Sequence, residues 1–173
     1  MTYDPRGIYS PESIVWKIHS DPSMLIGGVR ALFQQALHPV AMAGVATHSN
    51  FREDAWGRLQ RTGDYVTTLT FGSTEQALEL TSRVRRVHTK LGLDNPHELL
   101  WVHMAFTESF LVAHETYSRR TIPGGADAYV EQWADSVKPL GLLDAPRSVA
   151  ELEAAIEVLF TDGTLRVTET TLQ

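Results

Sequence analysis

Cysteine is absent from this chain of 173 residues. Its absence excludes disulfides, thiolate metal sites, thiolate ligation of heme and the covalent attachment of a c-type heme. Because no residue needs oxidising surroundings, a cytoplasmic location is expected. The N-terminal residues also lack the basic start and apolar run of a secretory signal.

Long apolar runs and clustered positive charge are lacking as well. The longest apolar stretch, residues 99–113, is too short to span a membrane and contains His103 and Glu108. A net charge of −6 argues against a nucleic-acid-binding protein, because phosphate binding needs a clustered basic face. Basic residues gather only in residues 83–90, where apolar residues separate them, so a solvated helix face is expected there. We therefore expect neither a membrane span nor a nucleic-acid partner.

Helical signals dominate what is present. Apolar residues recur at helical spacing through residues 24–49, and Pro39 predicts a kink or an end near His38. Capping signals open two further long helices, in residues 73–92 and 95–120. The chain is most simply a single all-α domain over residues 1–173, a helical bundle around a central, largely apolar cofactor pocket.

Two segments are less clear. Residues 65–71, YVTTLTF, have a β-rich composition, but a lone strand has no partner, so a helix continuation and an extended connector both remain open. A last amphipathic helix is predicted from Ser148 to about Phe160. The threonine-rich residues 161–173 are expected to form an irregular tail.

Polar residues share one helical face in the segment WGRLQRTGDY, residues 56–65. Arg58, Arg61 and Thr62 are spaced by three and four positions, which places them side by side on a helix. Such a face is either a solvated surface or one wall of a buried polar site. Spacing alone leaves both open.

The seven histidines divide by their position on the predicted elements. His19 and His97 fall at loop or helix edges and are expected to be exposed, while the position of His114 is ambiguous. The remaining four are His38, His48, His88 and His103.

His88 and His103 each follow one apolar residue by four positions and precede another by three. Each therefore lies on the apolar stripe of its helix. A single histidine in such a place is more often a hydrogen-bonded core residue than a ligand. Two such histidines on neighbouring helices, together with the polar face of Arg58, Arg61 and Thr62, weaken the interpretation as core residues. They do not reverse it.

Common catalytic motifs are missing. No histidine follows a glutamate by three positions, as helical di-iron sites require, and no H-E-x-x-H, G-x-S-x-G, Walker or G-x-G-x-x-G motif occurs. A nonheme metal site built from His38, His88 and His103 remains a weaker alternative. A planar, largely apolar cofactor bound by one neutral imidazole fits the pattern better.

Three blocks together resemble the rubber-oxygenase and ER-bound-oxygenase catalytic-domain superfamily, which includes bacterial latex-clearing proteins. They are GGVRALFQQALHPVAMAGVATHSNFREDAWGRLQRT, VRRVH and LLWVHMAFTESFLVAHETY, and the resemblance is strongest over residues 16–141. The resemblance implies an all-helical heme b enzyme that uses dioxygen to cleave carbon–carbon double bonds in isoprenoid chains. An apolar, alkene-bearing small molecule is the implied substrate.

The resemblance also implies roles for individual residues. His88 matches the histidine that binds the heme iron, and Arg58, Arg61 and Thr62 match the Arg-x-x-Lys-Thr motif on the opposite side. Arg58 would be a charge or hydrogen-bond partner near the heme and Thr62 a hydroxyl on that side.

His103 and His38 also recur in the family's motifs. His103 is a candidate for contact with the cofactor. His38 is a candidate acid/base group or partner of a heme propionate, and a hydrogen bond at the helix kink is the alternative.

Two departures from the family bear on function. Arg61 replaces the family's lysine, and a guanidinium stays protonated, so it cannot bind iron as a neutral amine can. The link from His88 to Pro96 is shorter than usual. The leading hypothesis is a heme b-dependent oxygenase; the alternative, which the short link favours, is a non-catalytic helical protein that binds heme or an apolar ligand.

Overall fold

The computed structural model describes residues 7–48 and 54–172, and within these ranges helices dominate and no strand occurs. The elements are α1 (Ile14–His19), α2 (Ser23–Gln35), α3 (Pro39–His48), α4 (Ala55–Phe71), α5 (Thr74–Leu91), α6 (Pro96–Tyr117), α7 (Gly125–Trp133), a 3₁₀ helix (Ala134–Leu140), α8 (Val149–Thr161) and α9 (Glu169–Leu172). The all-α prediction is confirmed. In the same ranges, none of the helices has both the length and the apolar character needed to cross a bilayer.

Local capping places the starts of the two long helices as predicted. The Ser73 hydroxyl accepts a hydrogen bond from the Gln76 amide at 3.2 Å, and the Ser73 amide donates to the Gln76 side chain at 2.8 Å. This capping box opens α5, and Gly92 ends it in the left-handed conformation, with φ of 68°. Asn95 caps α6 by accepting from the amide of His97 at 3.0 Å.

The β-rich segment 65–71 is helical and completes the 17-residue helix α4. Val66, Leu69 and Thr70 are buried, all on the inner side of the helix. Burial of this side against the neighbouring helices outweighs the modest helical preference of valine and threonine. The helix-continuation alternative is therefore confirmed.

Helix α6 lies at the centre of the fold, with 11 of its 22 residues buried. Helix α2 packs along it, and Gly27 allows the close approach. A Cβ atom at Gly27 would lie 2.8 Å from Cδ1 of Phe110 and 3.1 Å from the carbonyl oxygen of Ser109. The two backbones could not approach this closely with a larger residue at Gly27.

A polar cluster joins the same two helices beside this contact. Arg30 and Glu108 form a two-pronged ion pair, in which Nη2 of Arg30 donates to Oε1 of Glu108 at 2.8 Å and Nη1 contacts Oε2. Gln34 donates to Glu108 at 2.6 Å and accepts from the Ser109 hydroxyl at 2.7 Å. Two-pronged guanidinium–carboxylate pairs are strongly directional, so this cluster sets the register of α2 against α6.

The C-terminal segment packs on the break between α2 and α3. The Arg166 amide donates to the carbonyl of Leu37 at 2.9 Å, and the Thr171 hydroxyl donates to the carbonyl of Ala36 at 3.1 Å. These bonds satisfy carbonyl groups left open where α2 ends. The tail is thus irregular only in part, since Glu169–Leu172 form the short helix α9.

Gly27→Ala is expected to lower the free energy of unfolding by about 1–3 kcal/mol, because the added methyl group collides with α6. Gly28→Ala is the matched control, since no atom lies within 4 Å of a Cβ placed at this position. It should raise stability by about 0.5–1 kcal/mol through better helix propensity. Urea unfolding followed by circular dichroism measures both, and equal losses in the two variants would contradict the close-contact explanation.

Candidate functional site

A cavity of ≈ 420 Å³ opens between α3, α4, α5, α6 and the segment around the 3₁₀ helix. Ligand pockets typically have volumes of about 300–1,000 Å³. We call it the His88 cavity. Much of its wall is apolar and includes Val45, Val84, Leu91, Leu99, Val102 and Phe106.

The His88 cavity brings together most of the residues singled out from the sequence. Arg58, Arg61 and Thr62 reach it from α4, His88 from α5 and His103 from α6. The polar face of α4 therefore lines a cavity, although Arg61 on this face is also largely exposed to solvent.

The two arginines differ in their surroundings. Arg61 keeps 61% of its side chain exposed and forms an ion pair with Asp54, the residue that caps α4, at 3.3 Å. Arg58 is half-buried, and burial lowers the pKa of its guanidinium, with a further lowering from the positive charge of Arg61. The cavity thus has one partly desolvated cation and one at its solvent side, an arrangement that attracts anionic groups.

Tyr65 is a cavity residue that the sequence analysis missed. It continues the series Arg58, Arg61, Thr62 at the next helical position, but this continuation appears only when α4 is extended through residues 65–71. Burial raises the pKa of the Tyr65 phenol to about 12. The hydroxyl is therefore protonated at neutral pH and can donate a hydrogen bond into the cavity.

His88 presents a neutral imidazole. The residue is half-buried because it borders the cavity. Its position on the apolar stripe of α5 had predicted a place in the core instead. Burial lowers the pKa of the ring, and the carboxylate of Asp94 opposes this shift in part. Neither ring nitrogen has a hydrogen-bond partner among the described residues. A neutral, uncommitted imidazole in an apolar wall has the properties of a metal ligand.

His103 is more constrained than His88. It is 4% exposed and stacks on Trp133, with ring centroids 6.2 Å apart. Its Nε2 lies 3.4 Å from the hydroxyl of Thr107. Burial lowers the pKa of His103 to about 4, so this ring is also neutral.

Three buried side-chain donors on the cavity wall lack hydrogen-bond partners in the described part of the chain. They are Nε2 of Gln35, Nε1 of Trp133 and Oγ of Ser136. A buried N–H group without an acceptor is costly and is usually satisfied in the folded state. A bound molecule carrying oxygen atoms could supply the missing acceptors.

Comparison with known proteins assigns the chain to a family. Residues 16–173 match the family described as ER-bound oxygenase mpaB/B′/Rubber oxygenase, catalytic domain. The chain belongs to this family. No curated protein and no solved structure matches the chain.

Membership supports an oxygenase activity in general terms, with dioxygen and a small molecule as substrates and a metal or heme as cofactor. The match also extends past residue 141, so the tail that packs on the α2–α3 break belongs to the oxygenase domain.

His38 lies at the break between α2 and α3. Helix α2 ends at Gln35 and α3 begins at Pro39, which confirms the predicted break. The His38 ring is buried between them, and its Nδ1 accepts a hydrogen bond from the Ala41 amide at 3.3 Å. This is the helix-kink hydrogen bond that the sequence left as an alternative, and His38 is not among the residues lining the His88 cavity.

The nonheme metal site considered as a weaker alternative does not form. Within residues 7–48 and 54–172, no group of three or more histidine, aspartate or glutamate side chains is placed to hold a metal ion. The side chain of His48 lies outside the described part of the structure.

The prediction that His19 is exposed is wrong. The ring is buried and bonded at both nitrogens, with Nδ1 2.7 Å from the Thr70 hydroxyl and Nε2 3.0 Å from the Tyr129 hydroxyl. Its partners lie on α4 and α7, so its position at the end of α1 gave no indication of burial. His97, in contrast, is exposed as predicted.

Acid is expected to destabilise the fold through two buried histidines. Burial lowers the pKa of His103 to about 4 and of His19 to about 3, from an unfolded value of 6.5. Between these values the unfolded chain binds protons that the folded chain does not, so stability falls as pH falls from 6.5 towards 4. The slope should be about 1.4 kcal/mol per pH unit for each histidine.

Urea unfolding across this pH range measures the slope. His103→Gln should reduce it, whereas the exposed control His97→Gln should leave it unchanged. A wild-type stability that does not vary across this range would contradict the assignment.

Proposed function

We propose that this domain is a heme b-dependent oxygenase that acts with dioxygen on an apolar, alkene-bearing substrate of isoprenoid type. The observation that carries the proposal is the neutral His88 ring in the wall of an apolar cavity, without a hydrogen-bond partner among the described residues. The same cavity is lined by two guanidinium groups and two hydroxyl groups from one face of α4.

The side chains present fit heme b. Its macrocycle is planar and largely apolar, as is much of the cavity wall, and its two propionates are anions that the arginines complement. A neutral imidazole such as His88 is a common axial ligand. Gly44 on α3 allows close packing against Leu93 in the cavity wall, since a Cβ atom at this position would lie 2.6 Å from Cδ2 of Leu93.

Arg61 fits the role of an anion partner better than that of an iron ligand. Its guanidinium is exposed and already pairs with the carboxylate of Asp54, and it could hold a heme propionate in the same way. A permanently charged guanidinium has no lone pair to offer to a metal. The replacement of the family's lysine by Arg61 therefore keeps the positive charge of the motif but removes its ability to bind iron.

When bound, heme supplies the redox chemistry with dioxygen. The chain's own groups act on the charge that develops on oxygen atoms in the cavity. Arg58 provides a partly desolvated positive charge, and Thr62 and Tyr65 provide hydroxyl donors. Fixed donors in a water-poor site stabilise developing negative charge more than the same groups do in water.

The apolar wall selects the substrate and excludes water. Moving an alkene chain out of water costs little free energy, and the chain gains contact with the aliphatic side chains. A polar substrate would leave its polar groups without hydrogen-bond partners. The same geometry would also suit a protein that binds heme without turnover, and the short link from His88 to Pro96 is the feature that favours it. The cytoplasmic location expected from the cysteine-free sequence stays a prediction.

Heme binding is expected to depend on His88. Purified protein reconstituted with heme should show a Soret band that co-elutes with the chain in gel filtration, and His88→Ala should lose or strongly shift it. His97→Ala, a change at an exposed histidine outside the cavity, should retain the wild-type spectrum. A Soret band kept in His88→Ala and lost in His103→Ala would assign the ligand to His103 instead.

Turnover is expected to depend on the donors of α4. Heme-loaded protein should consume dioxygen when a linear isoprenoid alkene is added, and Thr62→Val should lower this rate by about 10–100-fold while the Soret band persists. An oxygen electrode measures the rate. Wild-type protein that binds heme but consumes no dioxygen with such alkenes would favour the non-catalytic binding protein.

A further inference from the structure

Five buried rings form a connected group that begins at the wall of the His88 cavity. Trp133 and His103 both line this cavity, and their ring centroids are 6.2 Å apart. The ring of His19 lies edge-on to Trp133 at 4.6 Å, and the ring of Tyr9 lies 5.9 Å from it. Tyr129 is hydrogen-bonded to His19. None of the five is more than 8% exposed, so this set, which we call the Trp133 group, runs from the cavity into the interior.

The Trp133 group also reaches a second cavity, of ≈ 570 Å³, on the other side of α4. His19 lines this second cavity together with Gly63 and Val66 of α4, and Thr62 lines both cavities. The rings of Trp133 and His19 therefore join the walls of two spaces.

Trp133 and the two tyrosines are the members of this group that a one-electron oxidant can oxidise. Trp133 lies at the cavity wall, whereas Tyr9 and Tyr129 lie behind it. Tyr129 and Trp133 are four positions apart on α7, which places their side chains next to each other. An electron taken from Trp133 can therefore be replaced from either tyrosine.

Proton acceptors distinguish the three rings. Removal of an electron makes an indole N–H or a phenol O–H strongly acidic, so the oxidised state settles where a base can take the proton. Nε1 of Trp133 has no partner among the described residues. The Tyr9 hydroxyl donates to the carbonyl oxygen of Gln132 at 3.1 Å, and an amide carbonyl is a very weak base. The Tyr129 hydroxyl lies 3.0 Å from Nε2 of His19, an imidazole nitrogen.

The surroundings of His19 keep this nitrogen available. Burial lowers the pKa of the ring to about 3, so His19 is neutral and one nitrogen carries a lone pair. The phenol is the more acidic of the two hydroxyls at the ring, so Tyr129 donates to Nε2, and Nδ1–H donates to the Thr70 hydroxyl at 2.7 Å. Transfer of the phenol proton to Nε2 moves a positive charge between adjacent rings and creates no second buried charge.

We propose that the Trp133 group is an oxidation relay that carries oxidising equivalents out of the His88 cavity and stores them as a neutral radical on Tyr129. A one-electron oxidant in the cavity takes an electron from Trp133 and is itself reduced. Trp133 regains an electron from Tyr129, the phenol O–H bond breaks, and Nε2 of His19 binds the proton. The products are the reduced oxidant, unchanged Trp133, a phenoxyl radical and an imidazolium.

This relay would protect the cavity from self-oxidation when an oxidant forms there in the absence of substrate. That protective role rests on the proposed function, which supplies the oxidant. The electron path itself depends only on the arrangement of Trp133, Tyr129 and His19.

The absence of cysteine permits a test that needs no heme. Val87 lines the His88 cavity and is 48% exposed, so Val87→Cys offers one accessible thiol to a ruthenium–bipyridyl label. A light flash with an electron-accepting quencher turns this label into a one-electron oxidant. Electron paramagnetic resonance of the frozen sample should then show a tyrosyl radical. Its high-field spectrum should carry the g-value shift of a phenoxyl oxygen that accepts a hydrogen bond from an imidazolium.

Variants of the labelled protein assign the radical. Tyr129→Phe should lose the tyrosyl signal, and His19→Gln should lose it although Tyr129 is present, because glutamine cannot take up the proton. Trp133→Phe should weaken it. Tyr9→Phe is the matched control, since Tyr9 contacts Trp133 but faces no base, and Tyr65→Phe removes another tyrosine of the cavity wall. Both controls should keep the signal. A tyrosyl signal that persists in Tyr129→Phe, or a parent protein without one, would overturn the proposal.

The same measurement on heme-loaded protein treated with hydrogen peroxide separates the relay from the proposed function. A Tyr129 radical driven by the ruthenium label, in protein that never acquires a Soret band, would support the relay and refute the heme assignment. Protein with a Soret band but no Tyr129 radical under either oxidant would overturn the relay and leave the proposed function standing.

Discussion

The contact between α2 and α6 is the constraint on which the rest of the structure depends. Helix α6 is buried on several sides, and such burial requires a neighbour that approaches its backbone closely. Gly27 permits that approach, and the pair of Arg30 and Glu108 sets the register along the axis. Because α2 is held in this way, the position at which it ends is set too, and with it the start of α3, which forms one wall of the His88 cavity.

Helix α4 separates two spaces of different chemistry. A helix returns to the same face every three to four residues, so Arg58, Thr62 and Tyr65 share one side. Gly63 and Val66 turn toward the other cavity. One helix thereby presents donors and positive charge to one cavity, and to the next a wall that combines Leu59 and Val66 with the polar residues Gln60, Asp64 and Thr67. Thr62 lies at the boundary and lines both cavities.

Elements with local signals were predictable. The capping box at Ser73, the cap at Asn95 and the break at Pro39 each act through bonds or clashes within a few residues, so they are readable without the fold. Residues 65–71 were ambiguous because their composition favours strands, and only burial against neighbouring helices made them helical. Tyr65 was missed for the same reason, since its place on the polar face depends on that helix.

The sequence by itself determined the helical class, the main helix boundaries, the family resemblance and the shared face of Arg58, Arg61 and Thr62, because these rest on spacing along the chain. Tertiary structure alone decided the surroundings of the histidines whose side chains the structure describes. His19 is committed to partners 51 and 110 residues away, whereas His88 lines a cavity with no partner among the described residues. An imidazole's protonation and availability depend on which groups surround it in space, and sequence spacing does not specify such distant neighbours.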